Sequence, residues 1–416
     1  MPVFTLIFIA ALFVATATRL WLARRQLRHV RAHRDAVPRD FAEHIALDSH
    51  QKAADYTCAK TRLDIVHVIL DAILLLIFTL GGGIQALADL WQGLLGVGVW
   101  RGVALIASVL VISGLLELPL SLYRTFVIDA RFNFNKMTLG LFLADLVKQL
   151  LIGAMLGIPL LLGVLWLMER MGPNWWLYAW LAWMSFNLLI LLLYPTVIAP
   201  IFNKFTPLQD QALATRIETL LQKCGFKSQG LFVMDGSRRT SHGNAYFSGL
   251  GASKRIVFFD TLLSRLNHDE IEAVLAHELG HFKRHHVLKR IAAMFALSLA
   301  GLWLLGWLMP QPWFYEGLGV STRSTATALL LFLLVSPVFT FLFHPLSSLL
   351  SRKHEFEADR YAAENASAEQ LIHALVKLYN DNAATLTPDP LHSLFYDSHP
   401  AASQRVAHLR ALMTHI

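Results

Sequence analysis

The chain has 416 residues, 55% of them hydrophobic and only 16% charged, with a mean hydropathy of +0.48. Soluble globular proteins carry nearer to a quarter charged residues, so the balance excludes an ordinary soluble domain and indicates an integral membrane protein. Two cysteines, Cys58 and Cys224, leave no disulfide framework or cysteine metal site, and the net charge of +7 does not indicate nucleic acid, because the basic residues cluster beside apolar stretches.

A bilayer-crossing helix needs about 20 mostly apolar residues. Seven windows qualify: 2–23, 63–87, 100–123, 139–168, 174–198, 287–309 and 325–347. The first has no basic residue ahead of it, and Arg19, Arg24 and Arg25 come at or after its end, so it reads as a retained anchor rather than a signal peptide. Alternate loops are basic: the first carries Arg24, Arg25, Arg28, Arg31, Arg34, Arg39, Lys52, Lys60 and Arg62, while the next has no Lys or Arg before Arg101. Seven spans with the N-terminus outside and the C-terminus inside satisfy this bias.

The expected organisation is then a membrane region of five helices (1–198), a hydrophilic block (199–286), a membrane hairpin (287–347) and a second hydrophilic block (348–416). Both blocks fall on the cytoplasmic side and are expected to form one lobe. Asp64, His67 and Asp71 recur at helical spacing on the second span, with Glu117 on the third and Asp145 and Lys148 near the start of the fourth. Such residues face a bundle interior or sit at interfacial depth; for Asp71 and Glu117 the interior is favoured.

The block 199–286 ends in His277-Glu278-Leu279-Gly280-His281, an H-E-x-x-H string. On a helix, residues four apart share a face, so both imidazoles can reach one Zn²⁺ and Glu278 can reach a water there. Asn267-His268-Asp269-Glu270 supplies capping residues and early acids, and Ile271, Val274, Leu275 and Leu279 form an apolar stripe, so the string lies on a predicted helix. That helix is expected to run through Lys283, Arg284, His285 and His286 into the sixth span. A lone H-E-x-x-H string is also common as an amphipathic surface helix.

A hydrolytic zinc site wants a third protein ligand. The segment Ser351 to Asp359 offers Glu355, Glu357 and Asp359. Glu355 and Asp359 share a face, whereas Glu357 lies roughly 200° from Glu355. Glu355 is therefore the expected ligand with Asp359 beside it as an orienting partner; the bland alternative is a solvated charged face. His354, His285, His286 and His242 are weaker candidates.

With those residues in view, the chain resembles the type I CAAX prenyl proteases, integral membrane zinc metalloproteases. The resemblance rests on the span layout, the H-E-x-x-H string, Ser351 to Asp359, the stretch Ser241 to Gly249, and Tyr396-Asp-Ser-His-Pro400 with Arg405 six residues after His399. It implies a mainly α polytopic membrane fold of about seven helices around a chamber, with a gluzincin-like metalloprotease lobe containing a small β element. It implies His277, His281 and Glu355 as ligands of one Zn²⁺ and Glu278 as general base and acid. Asn244 and Ala245 would lie on an edge strand that pairs with substrate, and His399 and Arg405 would stabilise the oxyanion. Asp359 would act as a proton donor or as an orienting group.

The implied partners are a polypeptide substrate, lipidated or membrane-associated, and the lipid bilayer. The short chain, with no retention signal at His415-Ile416, points to a bacterial inner membrane with the site on the cytoplasmic side, where substrates are generally not prenylated; a eukaryotic member would occupy the endoplasmic reticulum membrane. The alternatives are a membrane-protein quality-control protease of the HtpX kind and a transporter with a zinc-binding lobe. A purely structural zinc site has no use for Glu278, and three ligands rather than four favour catalysis.

Overall fold

The computed structural model describes residues 2–248 and 255–414; Gly249, at the end of one sequence motif, and the terminal His415-Ile416 lie outside them. The N-terminal half is helical: α1 (Val3–Ala32), α2 (Leu47–Phe78), α3 (Gly83–Leu95), α4 (Val99–Tyr123), α5 (Leu139–Arg170), α6 (Trp175–Leu193) and the short α7 (Ala199–Phe202). A mixed segment follows with β1 (Phe205–Pro207), α8 (Gln211–Lys223), β2 (Leu231–Met234), β3 (Ala245–Ser248), β4 (Arg255–Phe259), α9 (Asp260–Leu263) and α10 (His268–Lys283). The chain re-enters the apolar layer with α11 (His286–Leu308), α12 (Pro312–Glu316) and α13 (Thr325–Thr340), and ends in α14 (His344–Asn365), α15 (Ala368–Asp381), α16 (Pro390–Tyr396) and α17 (Ala402–Met413).

Among the described residues, six helical stretches are long and apolar enough to cross a bilayer: Val3–Ala32, Val99–Asp129, Leu139–Arg170, Gly172–Phe202, His286–Leu308 and Thr325–Asn365. The second expected span differs from a single helix over 63–87. α2 starts at Leu47, stops at Phe78 and turns by 50° into α3. Leu80-Gly81-Gly82-Gly83 makes this turn possible. Gly82 adopts φ +78°, and a Cβ on Gly81 or Gly83 would come within 2.9 Å of the Ile77 backbone. Counted as one broken span, the pair brings the total to seven.

The membrane core gathers where α1, α3, α4, α12 and α13 meet, around Phe8, Ile84, Val103, Phe314, Tyr315 and Leu331. Half of the most apolar window of the α13–α14 stretch is buried, against 6% for those of α5 and α6. The latter helices are therefore open on more than the lipid side. Asp64, Asp71 and Glu117 are exposed, and Glu117 lines a cavity of about 530 Å³ together with Ser121 and Gln149. Facing lipid instead would cost each charge ~2.5–3.5 kcal/mol. Asp145 behaves differently. It is buried and paired twice with Arg239, through Nε at 2.8 Å and Nη2 at 3.0 Å, and Lys148 donates to the Ile201 carbonyl at 2.9 Å. These groups join α5 to α7 and to the segment beyond it.

The lobe is built from both hydrophilic blocks around one core, in which Leu213, Ile217, Phe258, Leu275 and Leu279 meet Ala362, Leu371, Leu375 and Leu409. Its sheet has the order β1-β2-β4-β3, with β2 and β4 parallel and the other pairs antiparallel. β3 is therefore an edge strand, and its N-terminal approach is tied to the membrane half by the Asn135–Thr240 bridge and by Lys136 N–H donating to the Arg239 carbonyl.

Candidate active site

α10 begins at a capping box: Asn267 accepts from the Glu270 N–H at 2.9 Å, and the Glu270 carboxylate accepts from the Asn267 N–H at 2.8 Å. Glu270 is also held by Lys377 of α15. The start of the helix is thus locked, and its apolar stripe packs into the lobe core. Its other close neighbour is α14. At Gly280 an added Cβ would lie 2.9 Å from the Ala358 Cα and 3.0 Å from the Tyr361 Cβ, so this glycine sets the approach of the two helices. We expect Gly280→Ala to destabilise the protein by about 1–3 kcal/mol, the usual range for overpacking a dense interior. Thermal unfolding of the detergent-solubilised protein measures this, and an unchanged Tm would mean that the helices separate freely.

The contact of α10 with α14 brings His277, His281 and Glu355 together. One donor atom from each lies within 4.8 Å of the others. His277 Nε2 is 3.3 Å from His281 Nε2 and 3.6 Å from Glu355 Oε2, and His281 Nε2 is 3.4 Å from Glu355 Oε1. Glu355 is buried and its Oε2 has no hydrogen-bond partner. Arg405 Nη1, 3.7 Å from that oxygen, is too far to hydrogen-bond it, and a buried carboxylate oxygen without such a bond is costly unless a further cation sits against it. Two nitrogens and a carboxylate oxygen suit a divalent cation of the zinc type, with one side open.

The remaining atoms of the imidazoles are tied down. His277 Nδ1 is 2.9 Å from Asp359 Oδ1, and Asp359, fully buried, is gripped by Arg405 through Nε at 3.0 Å and through Nη2. Arg405 Nη1 also stands 3.7 Å from Glu355. Burial works against a charged imidazole at His277, yet the adjoining Asp359 and Glu355 carboxylates outweigh it and lift the pKa to about 9. Burial likewise opposes the Arg405 charge, and the Asp359 carboxylate more than offsets it, so the guanidinium stays firmly charged.

Glu278 is half-buried, and among the described residues its carboxylate has no hydrogen-bond or ion-pair partner. His399, on the turn between α16 and α17, places Nε2 3.5 Å from Glu355 Oε1 and is exposed on its other side. Asn244 immediately precedes edge strand β3, and Ala245 opens it opposite Phe258. Arg405 is less free than an oxyanion donor would be, because its N–H groups are aimed at Asp359 and Glu355. His242 stacks on Phe134 at 4.5 Å and hydrogen-bonds Asn382, away from the ligand set.

Two residues that helical spacing sets aside as ligands, His286 and Glu357, nonetheless stand at the site. α10 does not run into the sixth span. It ends at Lys283, His285 takes the left-handed conformation (φ +57°), and α11 starts at His286. The turn folds His286 back until its Nδ1 is 3.0 Å from His281 Nδ1, and Glu357 meets His286 Nε2 at 2.9 Å. No Gly or Pro marks the break, which is why a continuous helix was the natural expectation.

Residues 26–204 match the model of the CAAX prenyl protease N-terminal region with five membrane helices, and residues 207–413 match peptidase family M48. The chain is 32% identical to a CAAX prenyl protease 1 homolog of Caenorhabditis elegans, over 97% of this chain and 98% of that one. It is 30% identical to the Homo sapiens homolog, over 100% and 98% respectively. The crystal structure of S. mikatae Ste24p superposes with a TM-score of 0.90 at 30% identity, covering 98% of this chain and 99% of that one. The fold is thus a membrane-embedded protease chamber, and the transporter and HtpX-type alternatives are disfavoured. This chain belongs to peptidase family M48 and is an integral membrane metalloendopeptidase of the CAAX prenyl protease type.

Proposed function

We propose that the enzyme is zinc-dependent and cleaves membrane-associated polypeptides that carry a lipid near the C-terminus. The observation that carries the zinc reading is the buried Glu355 carboxylate between two imidazole nitrogens, with Oε2 at 3.6 Å from His277 Nε2 and Oε1 at 3.4 Å from His281 Nε2, and with no hydrogen bond to Oε2 among the described residues. His277, His281 and Glu355 would hold the ion, which when bound would polarise the scissile carbonyl and acidify a water. Glu278, with no competing partner, takes the proton of the attacking water and passes it to the leaving amine. His399 donates to the developing oxyanion from the open side. Asp359 and Arg405 hold His277 and Glu355 in place. Substrate backbone adds to the free edge of β3 at Asn244 and Ala245, which fixes the peptide beside the catalytic helix.

The lipid part of the proposal rests on family membership and on an interior that opens within the membrane spans, with the lobe placed on the cytoplasmic side by its basic flanking loops. Expression of Glu278→Gln in its native membrane, purification and mass spectrometry of bound polypeptides test it. Lipidated C-termini are the expected catch. A collection of unlipidated membrane-protein fragments would instead indicate quality control.

A further inference from the structure

His286, His354 and Glu357 form a second cluster beside the ligand set, and none of them belongs to the converging donors. His286 is 4% exposed, its ring lies flat on that of His354 at 4.0 Å and 12°, and its two nitrogens contact His281 Nδ1 and Glu357 Oε2. The left-handed backbone at His285 turns the chain at the start of α11, where His286 takes this direction.

We propose that Glu357 and His286 are positioning residues that set the tautomer and ring orientation of His281 through a serial relay. The proposal rests on the zinc reading above. The proton count dictates the relay. For His281 to present a lone pair at Nε2, its single ring proton must sit on Nδ1. That N–H points at His286 Nδ1, which must then be an acceptor. The His286 proton therefore sits on Nε2, where only an acceptor can receive it, and Glu357 supplies a carboxylate. One carboxylate thus determines two imidazoles. His277 reaches the same end in one step, since its Nδ1 meets Asp359 directly. Both histidines therefore terminate in carboxylates of α14, two residues apart. Glu357 lies off the Glu355 face of the helix, which bars it from the ligand set and aims it at the start of α11. The His354 ring, one turn before Glu357, fixes the His286 plane by stacking.

The test uses the full-length protein in detergent. Zinc affinity is measured by competition with a chromogenic chelator for wild type, Glu357→Ala, His286→Ala and the double variant, with thermal unfolding of the metal-free forms as a control. Loss of an outer partner of a ligating histidine typically weakens metal binding by about 10–100-fold. Both single variants should show a loss of that order, and the double variant should be no worse than His286→Ala, because a serial relay breaks once. Glu357→Gln, whose amide oxygen can accept the same N–H, should recover most of the affinity. The visible spectrum of the Co²⁺-substituted protein should shift in Glu357→Ala and return in Glu357→Gln. Glu357 is partly exposed, so its alanine variant keeps the question answerable if His286→Ala does not fold. Wild-type affinity in Glu357→Ala, or additive losses in the double variant, would overturn the relay. Absence of zinc from the wild type, or its retention in His277→Ala, would instead overturn the zinc site itself.

Discussion

Glu278→Gln is expected to retain one zinc per chain while peptide cleavage falls by about 10²–10⁴-fold, the usual contribution of a positioned general base. The separation of the two effects follows from where the carboxylate sits. Glu278 is next to His277 in sequence but is not part of the converging donor set, and among the described residues nothing else pairs with it. Its removal therefore leaves the ligand geometry intact and takes away only the group that accepts and delivers the proton. Metal content by elemental analysis and turnover of a fluorogenic C-terminal peptide give the two readings. Equal loss of both would mean that Glu278 supports the metal site rather than the chemistry, and retained turnover would remove it from the mechanism.

The second large effect is expected at Asp359. This carboxylate is fully buried between His277 and Arg405, itself buried. Asp359→Ala leaves a guanidinium in the interior without its main partner, and breaking a buried pair in this way costs about 3–5 kcal/mol. It also releases His277 Nδ1, so zinc affinity should fall by a further factor of about 10–100. Asp359→Asn keeps the volume and one acceptor and should lose less of each. If Asp359 served only as a proton donor, the alanine variant would keep its Tm and its zinc and lose turnover alone.

The residues Asp359 and Gly280 show how unevenly the site could be read in advance. The spacing of His277, His281, Glu355 and Asp359 is legible because a helix repeats its faces every 3.6 residues, so positions four apart announce themselves. The cap at Asn267 and the stripe through Leu279 are legible for the same local reason. Arg405 could be found only by resemblance, and its grip on Asp359 not at all, because the two are 46 residues apart and meet through the packing of α17 on α14. Lys148 and Asp145 looked like a pair of intramembrane charges; Arg239, from the other half of the chain, takes most of the aspartate.

The sequence by itself determined the membrane class, the approximate count of spans, the helix that carries the H-E-x-x-H string and the residue types that converge on it. These depend on composition and on short-range periodicity, which a linear string carries in full. Tertiary structure alone decided two things: the turn at His285 and the identity of the groups that stand behind His277 and His281. Both are set by contacts between elements distant in sequence, whereas the break after Phe78 is permitted locally by its glycines. His286 reaches His281 only because α11 starts in a new direction. Glu357 reaches His286 only because Gly280 allows α10 and α14 to touch.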